Sequence, residues 1–274
     1  MIGLKIEDAL KLNGNLKKYI TYKNGKARID FKNKEALHLY NKTILEHLFG
    51  LRMEFHEDAL IPTPINRYLF IKNIFDENPH IKTVLEIGTG SGIISLLIAK
   101  HYNCKIYMTD TVEEYVDLAQ NNIKNNCKNI NNPNDIEVIN SKGKIINGID
   151  ELKNVKFDLI ISYPPFYDDN SVASKRSFGG ADATQIELIG GGKYGEKFSC
   201  DIIVEGSSRL NKNGLIAIML PNKPLERRKA IENKMIDNGL ILKSNEIKTG
   251  KRVRHIIKGH NKNNNNNNNN SKMT

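Results

Sequence analysis

Apolar positions along this 274-residue chain follow two periods, and the switches between them lay out a fold before any motif is considered. Beyond residue 83, apolar runs of strand length at 84–87, 105–109, 136–140, 157–162 and 215–220 alternate with stretches at 93–101, 112–124, 194–210 and 225–237 that fit helices. Such alternation predicts an α/β fold with a doubly wound, mostly parallel sheet. At 240–247 and 252–258 two strand-like runs follow each other with no helix between them. An antiparallel hairpin closing the sheet is the expectation.

Residues 1–59 precede this series and carry a periodicity of their own, which predicts a small α+β amino-terminal module. It holds a short strand at 26–31 and a helix at 35–49, with Gly50 as the stop. Leu60-Ile61-Pro62-Thr63-Pro64 is then extended, because proline disfavours helix in the residue before it. A helix at 66–75 leads into the main domain, 60–260. The last stretch, 261–274, has an unbroken asparagine run at 263–270 with nothing to bury, so disorder is expected there.

The chemistry concentrates at the ends of two strands. Glu86-Ile87-Gly88-Thr89-Gly90-Ser91-Gly92 closes the first with a carboxylate and alternating glycines, the pattern of a strand feeding a nucleotide-binding turn. A dinucleotide loop is spaced G-x-G-x-x-G, whereas the third glycine here arrives one residue early. Glu86 would repel a pyrophosphate and attract a cation. S-adenosyl-L-methionine carries a sulfonium and an ammonium and no phosphate, so Glu86, Gly88, Thr89, Gly90 and Ser91 predict that cofactor. Asp110, at the end of the second strand, stands where a ribose-hydroxyl ligand is expected. The other use of that position is a cap for the helix at 112–124, by Asp110 or Thr111.

The fourth strand ends in Ser162-Tyr163-Pro164-Pro165-Phe166-Tyr167, at the sheet edge where open α/β folds bind ligands. Consecutive prolines fix the backbone and aim its carbonyls outward. Methyl transfer to an exocyclic or amide nitrogen needs such acceptors, because the N–H groups must be held so that the lone pair faces the methyl. Phe166 offers a face for a flat base. Tyr163, Pro164, Pro165 and Phe166 are therefore the candidate catalytic residues. The segment 168–193, with Lys175, Arg176, Gly179-Gly180 and Gly190-Gly191-Gly192, has the length and glycines of a loop that closes over a substrate, and its composition equally fits a disordered insertion.

Charge bears on the partner. A formal net charge of +10, with the basic excess concentrated beyond Glu205, fits an anionic partner such as nucleic acid and equally a solvated basic surface. Lys26, Arg28 and Lys32, interleaved with Tyr19, Tyr22 and Phe31, are candidate RNA contacts. Arg252 and Arg254, on one face of the last strand, are two more. Arg227-Arg228-Lys229, with Glu226 and Glu232 beside them, reads as an ordinary exposed helix face. Three widely spaced cysteines suggest neither a disulfide framework nor a metal site, and no apolar run approaches the ~20 residues of a membrane helix. A soluble, cytoplasmic monomer is expected.

These motifs resemble those of the RNA adenine-N6 methyltransferases, which include the bacterial large-subunit ribosomal RNA enzyme and the eukaryotic spliceosomal small-nuclear-RNA enzyme. The likeness covers nearly everything before the asparagine run. It rests on Asn24-Gly25-Lys26 leading to Asp30-Phe31-Lys32, on Phe49-Gly50-Leu51, and on Leu60-Ile61-Pro62-Thr63 with Arg67. It continues through Glu86-Ile87-Gly88-Thr89-Gly90, Pro164-Pro165-Phe166, Glu187-Leu188-Ile189 with Gly191-Gly192, and Thr249-Gly250-Lys251. The resemblance implies a class I methyltransferase (Rossmann-like) fold and an RNA-binding module at 1–59. It further implies cofactor contacts from Arg67, the Gly88 loop and Asp110, and a target adenine stacked near Phe166 in a structured RNA such as rRNA or a small RNA.

The chain departs from the family at Tyr163, where members carry Asn, or Asp or Ser in related amino-methyltransferases. A phenol reaches farther than a short amide and occupies the space of the base. Either Tyr163 bonds a differently placed target, or the backbone carbonyls suffice, or the chain binds without transferring. The leading expectation is an active methyltransferase for an exocyclic base amine, adenine N6 foremost. Its rivals are a non-catalytic RNA-binding protein and a methyltransferase for a protein amide or small-molecule amine.

Overall fold

A computed structural model describes residues 3–168, 185–249 and 252–261. The expectations for Lys175, Arg176, Gly179-Gly180, Gly250-Lys251 and the asparagine run fall outside the described residues.

The chain opens with α1 (Ile6–Leu12) and a hairpin of β1 (Ile20–Lys23) and β2 (Lys26–Ile29). Asn24 and Gly25 join its strands with φ of 52° and 70°, the left-handed pair that a two-residue hairpin turn requires. The periodicity predicts β2 but neither α1 nor β1, because β1 leaves three of its four residues exposed and so has no apolar face to read. Asn33 caps α2 (Lys34–Phe49) by accepting from the Ala36 N–H at 2.9 Å, and Gly50, at φ 64°, ends it. Ala9, Leu16, Ile29 and Ala36 form a small core beneath the hairpin, while Ile44, Leu45 and Phe49 from the later turns of α2 join the main core.

Helix α3 (Pro64–Glu77) starts two residues before the periodicity predicts, on a proline whose missing N–H is no loss in a first turn. The strands are β3 (Thr83–Ile87), β4 (Lys105–Asp110), β5 (Ile136–Asn140), β6 (Phe157–Ser162), β7 (Leu210–Pro221), β8 (Ile241–Thr249) and β9 (Arg252–His260). Between them run α4 (Ile93–His101), α5 (Glu113–Asn126), α6 (Gln185–Leu188), α7 (Lys197–Ser207) and α8 (Leu225–Asp237). The strand order is β5-β4-β3-β6-β7-β9-β8, with β3 to β7 parallel and β9 antiparallel to both β7 and β8. Val84, Leu159 and Ile161 pack with residues of α2, α3 and α4, whereas Leu85 and Ile160 pack with Ile202 and Ile203 of α7 and Ile231 and Met235 of α8. Apolar side chains on both faces explain why these strands read as continuous apolar runs.

The helix expected at 194–210 is shorter at both ends. Gly191, Gly192 and Gly195 have φ of 70°, 81° and 79°, which keeps the chain in turns up to α7. At the other end Leu210 is drawn into β7 by pairing with Phe157.

Strand β3 has β4 on one side and β6 on the other, so sheet growth reverses there. Ile87 and Ser162 are register partners, and the glycine loop and the Pro-Pro segment therefore leave the sheet side by side at the switch point where open sheets bind ligands. Among the described residues no helix is long and apolar enough to cross a membrane.

Candidate functional site

The glycine loop is held from within. Gly88 and Thr89 both donate to the Thr109 carbonyl, at 2.9 and 3.0 Å, Gly92 donates to the Thr89 carbonyl at 2.9 Å, and Gly90 donates to Asp110 Oδ2 at 2.8 Å. These four amides are spent on protein acceptors and are not free for a phosphate, whose oxygens need free N–H groups. Asp110 is 9% exposed, and its Oδ1 accepts from Thr111 N at 2.8 Å and Val112 N at 3.1 Å. Neither Asp110 nor Thr111 is the N-cap of the next helix: that position is Val112, which has no side-chain cap bond to offer. Burial raises the Asp110 carboxyl above its usual range, against the pull of the three N–H bonds.

Glu86 is 1% exposed, and its Oε2 accepts from Thr89 Oγ1 at 2.9 Å, from Ser95 N at 3.1 Å and from Ser95 Oγ. Burial pushes it from 4.5 to about 7 despite these bonds. A folded-state pKa above the unfolded one adds stability that is full below the unfolded value and lost as pH rises through the folded one. Glu86→Gln stays neutral and can accept the same three bonds. Ligand-free Glu86→Gln is therefore expected to match the wild type near about pH 4, below the unfolded value, and to exceed it by about 3 kcal/mol near about pH 8. Melting curves across that range check this, and parallel pH profiles would rule it out.

Both carboxylates line a cavity of about 390 Å³ at the carboxyl edge of β3, β4 and β6, a volume within the ~300–1,000 Å³ of ligand pockets. Arg67, Glu86, Gly88, Thr89, Gly90, Ser91, Asp110, Tyr163, Pro164 and Pro165 all belong to its wall, so the structure brings these expected residues together. Phe166 does not line the cavity. Its carbonyl accepts from Arg227 Nη1, and its ring lies 5.2 Å from the Arg227 guanidinium and 4.8 Å from the Tyr167 ring. Ser162, fully buried, donates to the Ile87 carbonyl at 2.8 Å and fastens the two motifs together.

Several wall-building residues escape the sequence reading. Asn122 donates to the carbonyls of Ser91 and Glu54 at 2.9 and 3.0 Å and accepts from Glu54 N at 2.8 Å, tying the glycine loop to the segment after α2. Asn126, one turn on, exchanges bonds of 2.8 and 2.7 Å with the Arg52 backbone. Their i, i+4 spacing was the available signal, lost against the asparagine-rich background. The Glu187 carboxylate accepts from Leu60 N at 3.1 and 3.2 Å, and the Leu188 carbonyl accepts from Phe166 N and Tyr167 N at 3.1 and 2.8 Å. The segment from Glu187 thus locks the Pro-Pro turn to the Leu60 segment.

The basic residues divide. Lys26, Arg28, Lys32 and Arg252 are exposed. Arg254 is instead turned inward, with its Nε donating to Tyr163 Oη at 2.9 Å. Arg227, read from sequence as exposed, is 3% exposed, and desolvation lowers its guanidinium to about 10. Its side chain holds the Phe166 and Lys223 carbonyls, a clamp that the neighbouring charges do not reveal. A groove beside α2, lined by Lys18, Lys34, His38 and Lys42, shares the 56–57 segment with the cavity: Glu57 lines the one and His56 the other.

This sheet, with a glycine loop and a Pro-Pro turn facing one cavity, defines a Rossmann-like methyltransferase. The chain belongs to the RNA methyltransferase family, whose sequence model matches residues 6–199. It is 58% identical over 264 residues to a Methanocaldococcus jannaschii protein that itself carries a provisional methyltransferase name, covering 94% of this chain and 99% of that protein. A U6 small nuclear RNA (adenine-(43)-N(6))-methyltransferase of Drosophila pseudoobscura pseudoobscura is 29% identical over 154 residues, 54% of this chain and 50% of that enzyme, so the chain spans half the length of that relative. The human METTL16 catalytic domain in complex with a MAT2A 3′UTR hairpin matches with a TM-score of 0.76 at 22% identity, covering 92% of this chain and 89% of that one. At that identity the likeness is one of fold.

Proposed function

We propose that this chain transfers a methyl group from S-adenosylmethionine to an exocyclic base amine of a structured RNA, adenine N6 foremost. The observation that carries the proposal is the pairing, across one cavity, of a glycine loop with four of its amides spent on protein acceptors and a rigid Pro-Pro turn. Two buried carboxylates suit a ligand with cationic and hydroxyl groups and no phosphate: Asp110 takes the ribose hydroxyls and Glu86 faces the positive end. The bound cofactor supplies an electrophilic methyl group. The chain's part is to orient and to exclude water, with Tyr163 to Pro165 presenting the amine and Leu60, Pro62 and Ile189 supplying apolar wall. The U6 enzyme among its relatives supports adenine N6, and the exposed Lys26, Arg28 and Lys32, with the Lys18–Lys34–Lys42 groove, support an amino-terminal RNA-binding module at 1–59.

The test is to incubate purified protein and labelled S-adenosylmethionine with RNA and protein from cells lacking it. Label is expected in RNA, recovered as N6-methyladenosine on nucleoside digestion. Label in protein would overturn the RNA reading, and label in another nucleoside would overturn adenine N6.

A further inference from the structure

We infer that Tyr163, and not Phe166, is the aromatic platform that holds the acceptor base, and that Arg67 and Arg254 fix the plane of its ring. The inference rests on the RNA-base reading above and deepens it, because it says which side chain selects a flat base.

Tyr163 is the first residue beyond β6, half-buried, and part of the same wall as the glycine loop, Pro164 and Pro165. Two arginines from distant elements converge on it. The Arg67 guanidinium, from α3, lies 4.3 Å from the centre of its ring, and Arg254 Nε, from β9, donates to its hydroxyl at 2.9 Å. A tyrosine side chain has two rotations, and these contacts remove both: the stack sets the plane and the hydroxyl bond sets the direction. The ring is thereby drawn toward α3 and β9, so its bulk becomes part of the wall instead of filling the place of a base.

Phe166 is engaged elsewhere. Its ring lies against Arg227 and Tyr167, its carbonyl is held by Arg227, and it takes no part in the cavity wall. Of the motif's three aromatic residues, Tyr163, Phe166 and Tyr167, only Tyr163 lines the cavity. A guanidinium on one face of a ring also draws electron density from it, which favours stacking of an electron-rich purine on the other side. Arg254 is the further positioning residue: it touches no substrate and acts through Tyr163, whose hydroxyl it holds.

The test uses the full chain saturated with S-adenosylhomocysteine and titrated with a short single-stranded oligoribonucleotide carrying 2-aminopurine, whose fluorescence is quenched on stacking. Wild type and Tyr163→Phe are expected to quench, since both keep the ring. Tyr163→Ala and Tyr163→Asn are expected to lose the quench and to bind the oligoribonucleotide roughly 5- to 150-fold more weakly, the range for one lost base–aromatic stack. Phe166→Leu is expected to keep the quench. Arg254→Met should raise Kd for the oligoribonucleotide and broaden the quenched lifetime while S-adenosylhomocysteine affinity stays constant, a split that general destabilisation would not give. Quenching retained by Tyr163→Ala, quenching lost in Phe166→Leu, or no quenching by the wild type would each overturn the inference. Label incorporation into RNA by the wild type is scored separately: quenching without label sinks the transfer reading alone, and label without quenching at Tyr163 sinks this one alone.

Discussion

Asp110→Ala is expected to weaken S-adenosylhomocysteine binding about 10- to 150-fold, the loss of one charge-assisted hydrogen bond at ~1.5–3 kcal/mol, because three of the carboxylate's lone-pair sites are already taken by backbone N–H groups. The carboxylate has two tasks at once. It accepts from Gly90, Thr111 and Val112, which fixes the loop against the end of β4, and it borders the cavity where a ribose would lie. Alanine removes the ribose acceptor and leaves the Gly90 N–H without its partner, so loop and ligand lose their anchor together. Asp110→Asn retains one acceptor oxygen and should lose less. Calorimetry on both variants, with circular dichroism to confirm folding, reads the difference. Wild-type affinity in Asp110→Ala would show that the carboxylate is a brace for the loop and nothing more.

Gly92→Ala should cost about 2–5 kcal/mol of stability, roughly twice the cost of Gly90→Ala. Both glycines have positive φ, 81° and 53°, and both substitutions therefore carry the left-handed penalty of ~1–2 kcal/mol. The difference is space. A Cβ on Gly92 would stand 2.8 Å from Met108 Cε and 3.5 Å from Ala119 Cβ, whereas nothing lies within 4 Å of one on Gly90. Met108 is fully buried, so moving it disturbs the core, and overpacking of that kind adds ~1–3 kcal/mol. The early third glycine thus has a structural cause: it is where α4 begins, pressed against β4 and α5. Urea unfolding of the two variants checks the ranking, and equal losses would refute it.

Much of the site was legible because its residues are local in sequence. A strand followed by Glu86 and three glycines can be recognised without knowing what packs on it, and the same holds for Asp110 and the two prolines. The partners were not legible. Asn122 bonds the Glu54 backbone 68 residues away, Glu187 bonds Leu60 across 127 residues, and Arg254 reaches Tyr163 across 91. Asn122 looks ordinary on its own element, Glu187 and Arg254 stand out in the sequence without showing which residue they meet, and Arg227 looked solvated because the charges beside it are. Strand β1 escaped for a related reason: its stability comes from the Asn24-Gly25 turn and pairing with β2, and its exposed residues carry no burial pattern.

The sequence by itself determined the alternation of strands and helices, the glycine loop at Gly88 and the position of the Pro-Pro turn. Each is written in residue spacing or in backbone conformations that few residues can adopt. Only the tertiary structure decided what those elements face. It put the two motifs on adjacent strands at the switch point, spent the loop amides on Thr109 and Asp110, and turned Phe166 against Arg227. It also drew Arg67 and Arg254 onto Tyr163. Periodicity records how much of a residue is buried, whereas the identity of its neighbour is fixed by strand order and long-range packing, which no single stretch of chain contains.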